Sequence, residues 1–533
     1  VVPALDAVLQ VEAAESMANQ HETKGHGHLG EWRHRMGGAP ARPSPPAGAR
    51  QSFRLFPEAL RLSGPPPLPL PDAGVPLASP YWKRLLALLA LALSLVLWTE
   101  GLLGSLERPS VLDALGVRQM EVAALAAEGL PAPWRAVLVG DDPRRALSQE
   151  LDRQIKASGQ GASAVQSLEM ALLDSATATD PTRALTASVT GLLDQVDGAR
   201  QPLLKALLRG QPVAAGERAQ LLAPWGQEPM LEQLTCERLG GPASGCPAQR
   251  QRRHLQIQYL GISVLPVVLM IVGGLLLLRQ LWRFYRGQLA PAPPLQGPLL
   301  SAVDATLLIA GGFVLVGEVL LPALLQGSTQ ALVQKLTLAP ARAQGLQVLI
   351  QYLVLMLAPL LILHLLLRGR QAPDGGWLQW RWRPLFKALT QAIGALLMVM
   401  PLVALASWLL SLVWSEPGGS NPLLELVFHS GDRVALLCLG FTATVLAPLF
   451  EETLFRGVLL PVLAQRLGGL GAVLASAAVF ALAHLSLGEL VPLFVLGVGL
   501  GLLRWRTGRL APGVFMHGFW NALTFINLIS LAG

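Results

Sequence analysis

Nine apolar runs recur between Leu85 and Leu531, and they constrain this 533-residue chain more than any other feature. A helix rises 1.5 Å per residue, so about 20 apolar residues cross a hydrocarbon core of about 30 Å. The runs are Leu85–Gly104, Gln258–Leu278, Val303–Leu325, Leu346–Leu367, Ala388–Trp414, Val434–Ala464, Leu470–Leu485, Leu490–Leu503 and Ala511–Leu531. No water reaches backbone groups inside a bilayer, so runs of this length fold as helices that satisfy their own N–H and C=O groups. The expected fold class is all-α: a polytopic transmembrane bundle of about eight to nine helices with a helical extramembrane insert. The runs flanking Gly468 and Gly488 are the shortest, so the count rests on how they fold.

Composition agrees: 52% of residues are hydrophobic and 14% charged, against about 25% charged in soluble chains. The net charge of +7 is spread beside the apolar runs, not gathered on a polar domain, which argues against a nucleic-acid partner. Basic residues instead fall on alternate connections. Lys83 and Arg84 precede the first run; Arg279, Arg283 and Arg286 follow the second; Arg368, Arg370, Arg381, Arg383 and Lys387 follow the fourth. Arg466 and then Arg504, Arg506 and Arg509 complete the pattern. By the positive-inside rule this alternation predicts nine crossings, with the N-terminus cytoplasmic and the C-terminus outside. A multi-pass protein of a bacterial inner (plasma) membrane is expected.

Five regions follow. Residues 1–80 read as a disordered Pro-rich tail, with four of the nine His between His21 and His34. The chain begins at Val1 and not at Met, which leaves the true start open. Residues 81–104 form the first transmembrane helix. Residues 105–254 form a non-cytoplasmic insert, with helix-like apolar spacing at Val117–Leu130, Arg145–Ile155 and Leu221–Leu239 and no catalytic constellation. Cys236 and Cys246 lie close together there and are a disulfide candidate if the insert faces an oxidising compartment. Residues 255–387 supply further transmembrane helices, and residues 388–533 hold the polar residues that stand out in the membrane, with Cys438 read as a small core residue.

Ionisable groups at a helix centre in the bilayer cost roughly 2.5–3.5 kcal/mol on insertion scales, so clusters of them mark function. Three stand in the last part of the chain. In Ala447-Pro-Leu-Phe-Glu-Glu-Thr-Leu-Phe-Arg-Gly457, Glu452 and Arg456 are four apart and share a face, the geometry of an ion pair. Glu451 points about 100° away and is left free for chemistry. Pro448 loosens the helix just before the acidic pair. Phe480 and His484 are one turn apart in Phe480-Ala-Leu-Ala-His484, and His517 and Asn521 project together in His517-Gly-Phe-Trp-Asn521. Taken singly, each also has a bland reading: an ion-paired turn at a helix end, a hydrogen-bonded core His, and a polar pair joining two helices. Measured from the basic anchors, however, Glu451 and His484 lie about 22 and 21 Å deep, and Asn521 and His517 about 15 and 9 Å from Ala511, so the four can meet inside the membrane. A carboxylate, two imidazoles and a carboxamide suffice to activate water and hold an oxyanion.

These ordered motifs resemble the CPBP family, which joins type II CAAX prenyl endopeptidases with bacteriocin-processing and immunity-type proteins. Ala447-Pro448, Gly457 and Thr507-Gly508 fit as well, and the resemblance covers roughly residues 388 to 533. It implies an intramembrane endopeptidase that cuts peptide bonds in or near the bilayer of a membrane-associated peptide or protein. By position, Glu451 would be the general base for water, assisted by His484; His517 and Asn521 would hold the water or the oxyanion; Glu452, Arg456 and Phe480 would support them. The family is often called metalloprotease, and a divalent metal such as zinc would use His484, His517 and Glu451. A His-Glu-x-x-His motif is absent and Asn is an unusual zinc ligand, so the residues favour metal-independent glutamate chemistry without deciding it.

Two other functions compete. A non-proteolytic scaffold or immunity-type factor could use the same fold. A transporter is suggested by Asp304 and Glu318, fourteen apart and on one face of a regular helix, although helix-packing contacts explain them more simply.

Overall fold

The computed structural model describes residues 79–108, 111–127, 130–158, 163–226, 228–240, 245–414 and 422–532. The tail expected over residues 1–80, with its His tract, lies outside them apart from its last two residues. Every regular element among the described residues is a helix. Among these residues eight helices are long and apolar enough to cross a membrane: α1 (Tyr81–Glu107), α2 (Arg252–Tyr285), α3 (Ala302–Gln334), α4 (Pro340–Leu367), α5 (Leu385–Val413), α6 (Arg433–Leu482), α7 (Leu487–Thr507) and α8 (Ala511–Leu531). The chain is a multi-pass membrane protein.

The expectation of nine separate runs and the eight helices found are reconciled at Gly468. There the backbone has φ 69° and ψ 177°, a left-handed conformation open to Gly at little cost, and α6 reverses. Its second limb, residues 469–482, is the run expected at 470–485. It folds back on the first: Ser476 Oγ donates to the Phe455 carbonyl at 3.0 Å, and the Phe455 and Phe480 rings meet edge to face at 5.5 Å. Contacts at the chain's ends agree with an odd number of passes. Arg118, just beyond α1, donates to the Leu531 carbonyl at 3.2 Å, so the last residues of α8 lie at the end of the bundle where α1 finishes.

Helix α1 shows how these helices pack. Ala87, Ala90, Ser94 and Trp98 recur every three to four residues and are buried, and Ser94 Oγ donates to the Ala310 carbonyl of α3 at 3.0 Å. Leu85, Leu88, Leu95 and Val96 on its other faces are exposed, as lipid-facing side chains are. Small residues let backbones approach where apolar attraction between helices is weak.

Asp304 and Glu318 do not form a polar track. Residues Leu307–Leu320 are wound as a π-helix, with wider i→i+5 turns, so the 3.6-residue spacing used to place them on one face does not carry through. Asp304 caps its own helix through Ser301 and pairs with Lys83 of α1.

The insert is a helical unit with its own apolar core, including Leu147, Leu168, Val189, Leu203, Trp225 and Leu234. The single helix expected at Leu221–Leu239 is two. It stops at Trp225, where Gly226 turns at φ 92°, and restarts at Pro229, whose fixed φ suits a first helical turn. Cys236 and Cys246 are disulfide-bonded. The core extends to Tyr259 and Leu531, and Gln119 bonds Ser263 at 3.0 Å, so the insert is seated on α2 and α8.

Near that seat Arg118 bridges Glu121 and Glu228, both at 2.6 Å. Glu169 is buried close by, with Oε1 lacking a hydrogen-bond partner among the described residues. Burial, reinforced by the charges of Glu121 and Glu228 and opposed by Arg118, pushes Glu169 from 4.5 up to about 8. Between those values the folded insert keeps a proton that the unfolded chain loses, so stability falls as pH rises through the window. Glu169→Gln should therefore raise the melting temperature above the window by a few degrees, on the order expected for about 1–2 kcal/mol. The gain should fade as pH is lowered towards 4.5 in a thermal-melt series on the full chain.

Candidate active site

The site is assembled on the first limb of α6, near its middle. Pro448 brings no N–H to the helix ladder, which leaves carbonyls one turn back in need of other donors. The winding is π over Thr442–Leu446 and again over Glu452–Leu459, so Glu451 closes the α-helical turn between two widened stretches and Glu452 opens the second. One such carbonyl is taken by α8: Asn521 Nδ2 donates to Ala443 O at 2.8 Å.

Glu452 and Arg456 form the ion pair expected from their spacing, at 2.9 Å, and both are fully buried. Arg456 also donates to the Gly497 carbonyl of α7 at 3.1 Å and lies over the Phe480 ring at 4.3 Å. The charge is thus held by a carboxylate, a carbonyl and an aromatic face, as a buried guanidinium requires. His517 Nδ1 lies 3.2 Å from Glu452 Oε1. A carboxylate only accepts, so Nδ1 carries the proton, and Nε2 of a neutral ring is left as an acceptor. That Nε2 lies 3.8 Å from Glu451 Oε2, which has no hydrogen-bond partner among the described residues.

His484 reaches the same place from the end of α6. Its Nδ1 donates to the Phe480 carbonyl at 2.8 Å, which turns Nε2 away from the helix. The following turn is clamped to α1: Arg108 donates to the Leu485 carbonyl and Ser105 Oγ accepts from Leu487 N–H, both at 3.1 Å. Phe480 is wedged between the imidazoles, with ring centroids 4.8 Å from His484 and 5.6 Å from His517. The fold therefore gathers Glu451, Glu452, Arg456, Phe480 and His517, with His484 held against the Phe480 ring. Asn521 follows His517 by one turn, but its observed hydrogen bond is to Ala443 and not to the other three candidates.

Helix α8 approaches α6 closely beside His517. A Cβ on Gly518 would lie 2.9 Å from the Thr444 carbonyl oxygen, a backbone atom that cannot swing aside. Gly518→Ala should push α8 back, cost about 1–3 kcal/mol of stability as overpacking does, and move His517 from Glu451. A lowered melting temperature, read on the purified chain, checks this.

Two neighbours lay beyond sequence reasoning. Tyr352 of α4 donates its hydroxyl to Glu451 Oε1 at 3.3 Å. Glu318 of α3 is buried near enough for its charge and that of Glu451 to act on each other. Apolar periodicity marks α3 and α4 as membrane helices and says nothing about which of their residues face α6.

For a metal, the donor geometry does not fit. Among the described residues no three His, Cys, Asp or Glu side chains converge on a point from which each could reach an ion. His484 Nδ1 and His517 Nδ1 are engaged elsewhere.

Residues 433–523 match the family model of the type II CAAX prenyl endopeptidase Rce1-like domain. Residues 112–257, the insert and the start of α2, match a domain of unknown function (DUF8675). No curated protein and no solved structure matches the chain. Every residue of the cluster on α6 and α8, from Glu451 to Asn521, falls inside the first match, so the segment that carries the cluster is similar to the type II CAAX prenyl endopeptidase Rce1-like domain and lies within a larger polytopic helical protein.

Proposed function

We propose that the chain is an intramembrane endopeptidase that hydrolyses peptide bonds of membrane-associated peptides or proteins, using water activated by Glu451. The observation that carries this reading is the 3.8 Å approach of Glu451 Oε2 to His517 Nε2, two acceptor atoms facing one another. A water about 2.8 Å from each can donate one O–H to each, which aims its oxygen lone pairs away from them. Glu451 takes one proton as that oxygen attacks the scissile carbonyl carbon. We assign the oxyanion so formed to the second side-chain N–H of Asn521, whose first is held by the Ala443 carbonyl. Collapse breaks the C–N bond, and the leaving amine receives the proton from Glu451. Glu452 and Arg456 keep His517 in the required tautomer.

The insert is assigned to the non-cytoplasmic side and the N-terminus to the cytoplasm. Supporting this are the alternating Arg clusters and the Cys236–Cys246 bond, which persists in oxidising compartments. A bacterial inner membrane meets both conditions.

The test compares new protein N-termini in membranes of cells expressing the wild-type chain and Glu451→Ala. Fragments that disappear with Glu451 identify substrates. Identical fragment sets and an unchanged phenotype would mean a scaffold and not a protease.

A further inference from the structure

The matched domain ends at residue 523 and begins at residue 433, yet one of the two contacts made by the Glu451 carboxylate comes from outside it. Tyr352 is buried on α4, with its ring edge to face with Phe450 at 6.2 Å. Its hydroxyl has one hydrogen-bond partner among the described residues, Glu451 Oε1 at 3.3 Å. Phe would fill this space equally well without bringing a polar group into the membrane. A buried hydroxyl is costly unless it is bonded, so the position is explained by its bond and not by packing.

The contact also solves a problem for Glu451. Its side chain has three rotatable bonds, and the helix backbone alone does not orient the carboxylate plane. Oε2 has no hydrogen-bond partner among the described residues. A donor on Oε1 fixes the plane and leaves Oε2 turned to His517. Tyr352 is set by α4, and α4 is packed on both α3 and the first limb of α6, so the donor is held on a rigid element.

We propose that Tyr352 is a positioning residue for Glu451: its hydroxyl holds Oε1 so that Oε2 faces His517 Nε2, and helices outside the Rce1-like domain thereby complete the site. This rests on the reading of Glu451 as the base, and the experiment separates the two.

Full-length wild type, Tyr352→Phe, Glu451→Gln and the double variant are reconstituted in proteoliposomes. The infrared difference between wild type and Glu451→Gln isolates the carboxyl band of Glu451 without any substrate. In Tyr352→Phe that band is expected at a different frequency. The second readout is turnover of a peptide spanning a bond whose cleavage depends on Glu451. Tyr352→Phe should lower kcat roughly tenfold, as expected for one hydrogen bond to a charged group, with KM changed less than about twofold. In the Glu451→Gln background the same substitution should cause no further loss, because its effect runs through the carboxylate. An unmoved band, a wild-type kcat, or an equal loss in both backgrounds overturns the proposal. Wild-type cleavage by Glu451→Gln instead overturns the protease reading, and the infrared band still decides whether Tyr352 holds Glu451.

Discussion

Glu451→Gln is expected to reduce cleavage by about 10²–10⁴-fold, the usual contribution of a positioned general base. Gln keeps the size and the hydrogen-bonding capacity of Glu and loses only the ability to take a proton. The Tyr352 hydroxyl can still donate to the amide oxygen, so the fold around Oε1 survives. Glu452→Gln should behave differently. Glu452 is fully buried and accepts from both Arg456 and His517. Its loss should show first as instability and only secondarily as a slower reaction. Melting temperature and kcat measured on the same two preparations separate the carboxylate that reacts from the one that supports. Equal kcat losses with equal destabilisation would remove the distinction drawn between them.

Arg456→Met is expected to be the most destabilising single change near the site. It strands a carboxylate that is fully buried, and breaking a buried pair on one side costs about 3–5 kcal/mol. At about 2–4 °C per kcal/mol for a domain of this size, the melting temperature should drop on the order of 10 °C. Arg456→Met combined with Glu452→Gln removes both charges and should recover a substantial part of that loss, because no unpaired ion is left. Activity should not recover with it, since His517 still lacks the carboxylate that holds its tautomer. A double variant as unstable as Arg456→Met alone would show that packing against Phe480, at 4.3 Å, and not charge pairing, is what Arg456 contributes.

The family match lends weight to chemistry on α6 and α8 and says nothing about the helices before them. Those helices nevertheless reach the site. Glu318, first noted as half of a polar track with Asp304, belongs instead to the neighbourhood of Glu451, while Asp304 is taken by Lys83 and Ser301. The insert is seated over the end of α8 through Arg118 and Leu531, on the helix that carries His517 and Asn521. A protein reduced to the matched segment would lose the donor to Glu451, the clamp on the His484 turn and the seat of α8 together.

What the sequence determined by itself is local. Apolar length dictates membrane helices because each must satisfy its own backbone, and the positions of α1 to α5 follow from that requirement. The four-residue spacing of Glu452 and Arg456 dictates their pairing because side chains so spaced share a face, and nearness in the chain brings Cys236 to Cys246. Tertiary structure decided the rest. The reversal at Gly468 folds the second limb of α6 back along the first, which brings Phe480, and His484 with it, against Phe455. Asn521 is drawn to Ala443 because Pro448 has disturbed the ladder on a different helix, 78 residues earlier in the chain. Tyr352 meets Glu451 across 99 residues of sequence. Such contacts depend on how helices rotate and tilt against one another, which hydrophobicity does not encode when lipid and protein interior are equally apolar.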